Sequence, residues 1–379
     1  MSAAGLSFFG VGGALDSNGG FNGDHPSTAT IIGCSFIGNV AAGGPKATAN
    51  AGAIDNAGSG STMTVQGCEV VNNRAVGGDG GDGKTGLSQG IGGGVMNQAG
   101  SMLHLIDSIV SRNEAVGGNN ATITAANPNT GGAFGGGVVN FAQGVLTVSD
   151  CTIAGNVARG GTTAGGPGGN ALGGGIENAI DSSMTVTGSL ILHNTAIAGR
   201  GAPGASTVPA GIATGGGIDD QFRSIATVTG STIRGNSAFG GAGGSGDDGR
   251  EGLGGGISVG INALLGPTFP EKSSLTLTNS TVTGNQAFGG NGGRGANGGN
   301  GLGGGIFLFS RPDTTVSATV TGSSIQNNRA VRGNRGTGGA KGMGIGGGVY
   351  SDHAAFSLVA TVFRRNLAST SNNNLFVNP

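Results

Sequence analysis

The sequence is poor in aromatic and charged residues. Its 379 residues include no Trp, one Tyr and only 10% charged residues, whereas ordinary globular domains carry roughly 25% charged residues. Low charge together with 36% apolar residues excludes a simple solvated disordered chain, because such chains are highly charged and lack an apolar pattern. The net charge of −1 offers no basic surface, so we expect no nucleic acid partner.

Long apolar runs and a secretion signal are also missing. No stretch approaches 18 consecutive apolar residues, so the sequence predicts no transmembrane helix and no membrane insertion. Residues 1–13 lack the basic start and long apolar centre of a signal peptide. We therefore expect that an export signal has been removed or that the chain is a fragment of a longer protein.

Cysteine is scarce and its spacing excludes a zinc site. Cys34, Cys68 and Cys151 form no CxxC pair, and the four histidines fall in different repeat positions, so we expect no cofactor. The three cysteines occupy one column of the repeat described next, which is typical of a small, weakly polar filler. Cys34 and Cys68 would lie on adjacent coils about 4.8 Å apart, within the range of a disulfide, and the sequence leaves open whether they are bridged.

The sequence contains one thirteen-residue pattern nine times, and the nine copies align with one another without internal gaps. It reads apolar-x-apolar-x-turn-small-x-apolar-x-x-Asn-x-Ala, and most copies follow a Gly-Gly-Gly signal that ends in Ile or Val. The blocks cover 29–41, 63–75, 103–115, 146–158, 184–196, 226–238, 275–287, 318–330 and 356–368. The invariant Asn column consists of Asn39, Asn73, Asn113, Asn156, Asn194, Asn236, Asn285, Asn328 and Asn366.

Each repeat offers three short runs that alternate with period two, which is the strand signature. In the fifth repeat these runs are 174–178, 184–187 and 189–192. Three strands separated by corners make one turn of a coil, and stacked coils make an all-β, right-handed parallel β-helix. We therefore predict a single domain over 1–379, with nine coils, three strands per coil and short terminal segments at 1–11 and 369–379. A β-propeller would need four antiparallel strands and hairpins per repeat.

The Asn column and the Gly-rich insertions have structural interpretations in this fold. The Asn column predicts an amide ladder in which each side chain bonds to the coils above and below. Between each Asn-x-Ala corner and the next Gly-Gly-Gly lies a Gly-rich insertion. Several insertions keep Gly at strict period three, as in 240–252 and 289–301. That period belongs to the polyproline-II type of helix, so we expect an ordered, polyglycine-II-like second layer rather than loose loops.

Two outward columns are candidate binding surfaces. The residue after the Gly-Gly-Gly-apolar signal includes the adjacent pairs Asp16 with Asp55 and Glu177 with Asp219. Solvated edge residues are the simpler interpretation, with Glu177 and Asp219 as a weak metal candidate, and we see no aromatic platform for sugars beside either pair. A hydroxyl column, which could bind ice or a crystalline polysaccharide unless it simply reflects strand preference, contains Thr30, Thr64, Thr147, Thr185, Thr227, Thr276 and Thr319, with His104 and Ser357 completing it.

The repeat signals resemble those of the chlamydial polymorphic outer membrane protein family, in which Gly-Gly-Ala-Ile and Phe-x-x-Asn define the repeats. Residues 12–15 read Gly-Gly-Ala-Leu and residues 36–39 read Phe-Ile-Gly-Asn, and the other copies keep the form with substitutions. The chain is also similar to the broader class of Gly-Gly-Gly-Ile β-helix repeats in large bacterial surface proteins. The resemblance covers nearly the whole chain and implies an extracellular or cell-surface passenger region that is often adhesive.

The main functional expectation from the sequence is a non-enzymatic surface adhesin, stalk or filament-forming subunit with no catalytic residues. The alternative is a polysaccharide-active β-helix enzyme, lyase or hydrolase, or a glycan-binding protein of the tail-fibre type. Host surfaces and polysaccharides are the expected outside partners. Because 6–11 and 375–377 look like short extended segments rather than caps, we also expect subunits to associate end to end.

Overall fold

The chain folds as a right-handed parallel β-helix. A computed structural model describes residues 10–18, 25–163, 165–204, 208, 211–260, 272–311 and 314–379, and all regular secondary structure in these ranges is β-strand. Strands pair in parallel with the equivalent strands of the coils before and after. The predicted fold class and the nine coils are confirmed. The predicted three strands per coil are wrong, because the segments just before the Gly-Gly-Gly corner and just after the Asn corner are also extended and paired, which makes five sheets.

Two sheets lie on either side of the Gly-Gly-Gly signal, and we number the sheets in chain order within a coil. Sheet 1 contains Gly10–Val11, Ala49–Asn50, Gly90–Ile91, Ala133–Phe134, Ala171–Leu172, Ala213–Thr214, Gly252–Leu253, Gly301–Leu302 and Gly344–Ile345. Sheet 2 contains Leu15–Asn18, Ile54–Ala57, Val95–Gln98, Val138–Phe141, Ile176–Ala179, Ile218–Gln221, Ile257–Val259, Ile306–Phe309, Val349–Asp352 and Leu375–Asn378.

The thirteen-residue block forms the other three sheets. Sheet 3 contains Thr28–Ile32, Thr62–Gln66, Met102–Ile106, Val145–Ser149, Ser183–Thr187, Ile225–Thr229, Ser274–Thr278, Ser317–Thr321 and Ala355–Val359. Sheet 4 contains Ser35–Ile37, Glu69–Val71, Ile109–Ser111, Thr152–Ala154, Leu190–Leu192, Thr232–Arg234, Thr281–Thr283, Ser324–Gln326 and Val362–Arg364. Sheet 5 contains Val40–Ala42, Arg74–Val76, Glu114–Val116, Val157–Arg159, Thr195–Ile197, Ser237–Phe239, Gln286–Phe288, Arg329–Val331 and Leu367–Ala368.

The core inside the coils is built from columns of aliphatic side chains. Val148, Val186 and Val228 lie above one another in sheet 3 and are fully buried, and Ile153 and Ile191 do the same in sheet 4. Alternation within each strand sends these side chains inward and their neighbours outward. The described ranges contain no helix long and apolar enough to cross a membrane.

The Asn column forms a continuous chain of hydrogen bonds between coils. Asn156 donates from both its backbone N and its Nδ2 to Asn194 Oδ1, at 2.9 Å each. The same Nδ2 donates to the backbone oxygen of Val110 in the preceding coil. Equivalent bonds link neighbouring ladder residues from Asn39 to Asn366. Each buried amide therefore satisfies a backbone donor that would otherwise have no partner at this corner.

Each position of the Gly-Gly-Gly signal requires glycine for a different structural reason, as the fifth repeat shows. Gly173 lies in the left-handed region at φ 63°, where residues with a Cβ are disfavoured. A Cβ on Gly174 would collide with the backbone of Thr195. A Cβ on Gly175 would lie 3.0 Å from Cγ of Asn194. The two sequence signals are therefore one structural unit, because the glycines leave room for sheet 5 and for the Asn ladder.

The Gly-rich insertions are paired with one another through their backbones. In 240–252, every third residue is a Gly whose N–H donates to the next insertion, from Gly240 to Phe288 O through to Gly252 to Asn300 O, at 2.8–2.9 Å. The insertion 289–301 donates in the same phase to the one that follows it, from Gly289 to Val331 O through to Gly301 to Met343 O. The period-three glycines are thus used for hydrogen bonding between insertions. The polyglycine-II helix type itself stays a prediction.

The C-terminal segment covers part of the last coil. Leu375–Asn378 pairs in parallel with Val349–Asp352 as a tenth strand of sheet 2, and Asn366 Nδ2 donates to Asn374 Oδ1 at 3.1 Å. Residues 375–377 are thus an extended segment, as predicted, which continues sheet 2 beyond the last coil, and Asn374 ends the Asn ladder. Of the N-terminal segment, residues 6–9 lie outside the described ranges. End-to-end association stays a prediction.

We expect Asn194→Ala to destabilise the protein by about 2–4 kcal/mol, because it leaves two buried donors of Asn156 without an acceptor. The matched control is Asn39→Ala, because Asn39 begins the ladder of the described chain and no other ladder residue donates to it. Urea unfolding of both variants measures the difference. Equal losses at both positions would show that the ladder bonds contribute nothing specific.

We expect Gly292→Ala to lower the melting temperature, because the new Cβ would collide with the backbone oxygen of Asn297 within the same insertion. Gly165→Ala is the control, since a Cβ there meets nothing within 4 Å. Differential scanning calorimetry of the two variants compares the effects. If Gly292→Ala is as stable as Gly165→Ala, the close approach of the insertion strands is not required.

Candidate functional site

Glu177 and Asp219 lie side by side on sheet 2, as their positions in the repeat predict, but they are not solvated. They are register partners on adjacent strands, and their exposed fractions are 1% and 0%. The prediction of solvated edge residues is wrong because sheet 1 and the Gly-rich insertions cover the outer face of sheet 2. A second apolar cluster fills this space between the layers, and it includes Ile91, Met96, Phe134, Val139, Leu172, Phe222 and Leu253.

A short hydrogen-bond network holds the two carboxyl groups. Gln221 Nε2 donates to Glu177 Oε1 at 3.2 Å and also to Asp219 Oδ2. Thr214 Oγ1, on the sheet 1 strand of the same coil as Asp219, donates to Asp219 Oδ2 at 2.5 Å. Glu177 Oε2 is buried and accepts no hydrogen bond from an N–H or hydroxyl donor of the described residues, and the carboxyl group of Glu177 is also hydrogen-bonded to that of Asp219. Glu177 is thus held by Gln221 and by Asp219.

The surroundings of Glu177 favour the neutral form of its carboxyl group. The pKa of its carboxyl lies well above its usual range, first because burial disfavours the charged form and second because the Asp219 carboxylate beside it disfavours another negative charge. Gln221 opposes this shift by donating to Glu177, and that effect is smaller. A buried carboxylic acid with a raised pKa can donate a proton at neutral pH, which an exposed Glu cannot do.

A cavity of about 320 Å³ opens against Glu177, within the size range of small-molecule sites. It lies between the outer face of sheet 2, the sheet 1 strands and the first insertions. Three aromatic rings contribute to it, so the expectation that no aromatic surface accompanies these carboxylates is wrong. The lining consists of Leu87, Gln89, Ile91, Ala126, Asn127, Pro128, Asn129, Phe134, Phe141, Glu177, Ile180 and Phe222.

Two of these side chains reach the cavity from a strained corner. Ile180 and Phe222 directly follow sheet 2 strands and have φ of 57° and 58°. The left-handed region is unfavourable for bulky and β-branched residues, and such strain costs about 1–3 kcal/mol per residue. In the three preceding coils the same corner holds small residues, namely Gly58, Ala99 and Ala142. Bulky apolar side chains therefore replace small residues at this corner where the acidic pair lies, and the corner of the last coil holds the imidazole of His353 at φ 53°.

The polar part of the cavity lining consists of side-chain amides, and the hydrogen bonds within the protein use only part of their donors and acceptors. Gln89 Nε2 donates to Asn129 O at 3.0 Å, and Asn127 Nδ2 donates to Gly83 O at 2.7 Å. Asn129 Oδ1 accepts a bond from Asn170 at 2.8 Å. Each primary amide has two donor hydrogens and an acceptor oxygen. These bonds fix the three amides and leave further donors and acceptors to meet a ligand.

A second Asn ladder, missed in the sequence, ends beside this site. Asn56, Asn97, Asn140 and Asn178 stack in sheet 2, each donating from Nδ2 to the next Oδ1 at 2.7–2.8 Å. Asn178 then donates to Asp220 Oδ1 at 2.6 Å. The signal was visible, because each of these Asn residues is two positions after the apolar residue of the Gly-Gly-Gly signal. This ladder fixes the strands that carry Glu177 and Asp219.

The other acidic pair, Asp16 and Asp55, lies away from this cavity. Asp55 is 1% exposed and accepts two bonds from Gln98 Nε2, at 3.0 and 3.1 Å. Burial, reinforced by the charge of Asp16, raises the pKa of Asp55 to about 7. Asp16 itself is exposed. Neither residue lines the cavity beside Glu177, so this pair resembles the Glu177 site in its acid chemistry alone.

The remaining predicted sites are placed as follows. Cys34, Cys68 and Cys151 are free thiols, and the sulfur of Cys68 accepts a bond from the backbone N of Cys34 at 3.3 Å. Among the described residues, no three His, Cys, Asp or Glu side chains are placed to hold a metal, and the weak metal candidate of Glu177 and Asp219 stays a prediction.

The Thr column faces outward on sheet 3, in register from coil to coil. Thr185, Thr276 and Thr319 are exposed, and Thr147 and Thr227 are half-buried. A parallel hydroxyl column two residues along each strand is formed by Ser149, Thr187, Thr229, Thr278 and Thr321. The binding role of this surface stays a prediction.

No protein-family model matches the chain, and no curated protein is similar to it. Among solved structures it is similar to the periplasmic alginate epimerase AlgG, at 10% identity over 94% of this chain and 76% of that chain, with a TM-score of 0.26. A second similar structure is the catalytic domain of a GH87 α-1,3-glucanase in complex with tetrasaccharides, at 14% identity over 93% and 61%, with a TM-score of 0.20. The resemblance to the chlamydial repeat family stays a prediction.

These findings correct the main functional expectation. The solved structures similar to this chain are carbohydrate-active enzymes, so the prediction of a non-enzymatic adhesin, stalk or filament subunit without catalytic residues is wrong. At this level of likeness the comparison concerns the fold, and any activity has to be argued from the residues of this chain. We therefore carry forward the alternative, a polysaccharide-active β-helix protein.

The buried acids make stability depend on pH, and Asp55 is the clearest test. Its folded-state pKa of about 7 lies above the usual value of 3.8, so the folded state holds a proton that the unfolded state releases. The stability that this proton provides is complete below pH 4 and is lost as pH rises to about 7, by up to about 4 kcal/mol. We expect Asp55→Asn to remove most of this loss.

Urea unfolding at a series of pH values between 4 and 8 measures this dependence. The control is Asp107→Asn, because Asp107 is an exposed carboxylate at a coil corner and its replacement leaves the buried acids unchanged. An unaltered pH dependence in Asp55→Asn would show that Asp55 is ionised in the folded protein.

Proposed function

We propose that this chain is a polysaccharide-active β-helix protein that binds a sugar unit in the cavity beside Glu177 and hydrolyses its glycosidic bond. The observation that carries the proposal is a buried carboxyl group at the edge of a cavity lined by aromatic rings, whose pKa burial and Asp219 raise well above its usual range. A cleft residue with a strongly perturbed pKa and a specific charged neighbour is a functional-site candidate on physical grounds.

The cavity lining supports a sugar as the ligand. A pyranose ring has an apolar face of C–H groups and an edge of hydroxyl groups. Phe134, Phe141 and Phe222 offer apolar surface of the kind that packs against such a face. The amides of Gln89 and Asn127 offer donors and acceptors for hydroxyl groups. This division into an apolar wall and a polar edge favours a sugar over a purely apolar ligand.

The chemistry available to Glu177 is general acid catalysis. Its carboxyl proton passes to the glycosidic oxygen as the bond between that oxygen and the anomeric carbon breaks. A water molecule then bonds to the anomeric carbon, and the proton it loses returns to the Glu177 carboxylate. The products are a new reducing end and a free alcohol, and the acid is regenerated. Asp219 does not line the cavity, so its part is to keep Glu177 protonated before the reaction.

The location fits this proposal. Polysaccharides are met mainly outside the cytoplasm, in agreement with the extracellular or cell-surface location expected from the sequence. The stacked coils also present a long regular surface beside the cavity, along which an extended glycan chain can lie. In this proposal the polysaccharide partner expected from the sequence binds at the cavity between sheet 2 and the insertions above it.

We expect Glu177→Gln to lower the rate of glycan hydrolysis by at least about 100-fold, the usual contribution of a general acid, while sugar binding is retained. The wild-type rate is expected to be highest at acidic pH and to fall as pH rises through the raised pKa of Glu177, because only the protonated form donates. Release of reducing ends from a panel of soluble glycans measures both effects.

The matched control is Glu69→Gln, because Glu69 is an exposed carboxylate on sheet 4, away from the cavity. Its activity and pH profile are expected to equal those of the wild type. Hydrolysis that persists unchanged in Glu177→Gln would rule out Glu177 as the acid. Absence of both binding and turnover across the panel would contradict the proposed function as a whole.

A further inference from the structure

The cavity contains no group that would neutralise an acidic sugar. Glu177 is its one ionisable residue among the lining side chains of the described chain, and that lining includes no Lys, Arg or His. The residues outside the described ranges do not change this, because the sequence places no Lys, Arg or His among them. The charge lining the cavity can therefore only be zero or negative.

The nearest cation along the chain is already engaged in an ion pair. Arg223 follows the cavity residue Phe222, and its guanidinium group donates from Nε to Asp181 Oδ1 at 2.7 Å and from the terminal nitrogen to Asp181 Oδ2. Asp181 in turn follows the cavity residue Ile180. This two-bond pair links the two strained corners across adjacent coils, and it lowers the pKa of Asp181. Its role is to hold Ile180 and Phe222 in place.

Two unfavourable terms would weaken the binding of an acidic sugar in this cavity. Its carboxylate would lose water without gaining a cation, which is costly for any buried charge. It would also lie beside Glu177 and Asp219, where a further negative charge is repelled. β-Elimination, the lyase reaction, is disfavoured for the same reason, because it builds up negative charge on the substrate carboxylate and needs a cation to stabilise it.

We infer that the ligand of this site is a neutral glycan, and that the site is built for acid-assisted hydrolysis rather than for elimination from uronates. The inference rests on the proposed function, since it assumes that the cavity beside Glu177 is a sugar site. It selects the hydrolase branch of the alternative drawn from the sequence and excludes the lyase branch. Polar amides then provide the recognition, with uncharged hydroxyl groups as their partners.

The test compares two classes of glycan on the full chain. Dextran and laminarin serve as neutral probes, and alginate and polygalacturonate serve as polyuronates. Binding is measured by isothermal titration, hydrolysis by reducing ends, and elimination by the ultraviolet absorbance of unsaturated products. We expect binding and new reducing ends with a neutral probe, with little change in affinity across a tenfold range of salt, since an uncharged ligand is not screened. We expect no unsaturated product from either polyuronate.

A variant with an added cation provides a gain-of-function arm. Asn127 lies in the cavity wall on an insertion and bonds only through backbone groups and Gly83 O. We expect Asn127→Lys to bind polyuronates at least tenfold more tightly than the wild type, and Asn119→Lys, on the exposed part of the same insertion, to leave polyuronate binding unchanged.

The outcomes separate the two proposals. Wild-type binding of a polyuronate in preference to the neutral probes, with a loss in Glu177→Gln, would overturn the neutral-ligand inference and leave the site itself standing. Unsaturated products that depend on Glu177 would do the same. Failure of both glycan classes to bind would contradict the proposed function, and the inference with it.

Discussion

The stacking of one coil on the next, in a single register, is the constraint on which the whole molecule depends. Parallel backbone pairing holds the coils together, but pairing alone does not choose the register. The Asn ladder does, because Asn194 Oδ1 can accept from both donors of Asn156 only when the two corners lie directly above one another. A shift by one residue would also turn every inward side chain outward. Each apolar column, and each column outside the core, follows from this register.

Close backbone approach is the second constraint, and it explains why the chain needs 88 Gly. Gly174 and Gly175 leave room for sheet 5 and for the Asn ladder, so they are needed for the ladder to set the register of the coils. The insertions use glycine differently, since their strands bond to one another at every third residue. The insertions thereby become a second layer over sheet 2. Without that layer Glu177 would be an ordinary solvated side chain, and the site would not exist.

The fold could be predicted from the sequence because its signal repeats nine times. The phase of the repeat also placed Glu177 beside Asp219. It could not reveal their burial, because the cover comes from insertions whose packing is set by contacts between coils rather than by the repeated block. The three-strand estimate failed for a similar reason, since two-residue strands such as Ala171–Leu172 are too short to show alternation. Phe222 was missed because a corner at φ 58° is expected to hold Gly or Asn, not an aromatic residue.

The residues around Glu177 differ from those at the same repeat positions in the preceding coils, and these differences indicate that the site is functional. The column of Glu177 holds apolar Met96 and Val139 in the two preceding coils, which is the stable choice for a covered face. Two acids replace them, and at the same coils the corner residues, which have positive φ throughout, change from Ala99 and Ala142 to Ile180 and Phe222. Asp55 is buried as well, yet Gly58 and Ala99 at its corners stay small. A buried acid therefore does not by itself require bulky corner residues. Two buried acids, two bulky apolar corner residues and a cavity meet at one place. We expect this of a ligand site, because each of these substitutions costs stability that the repeat could otherwise have kept.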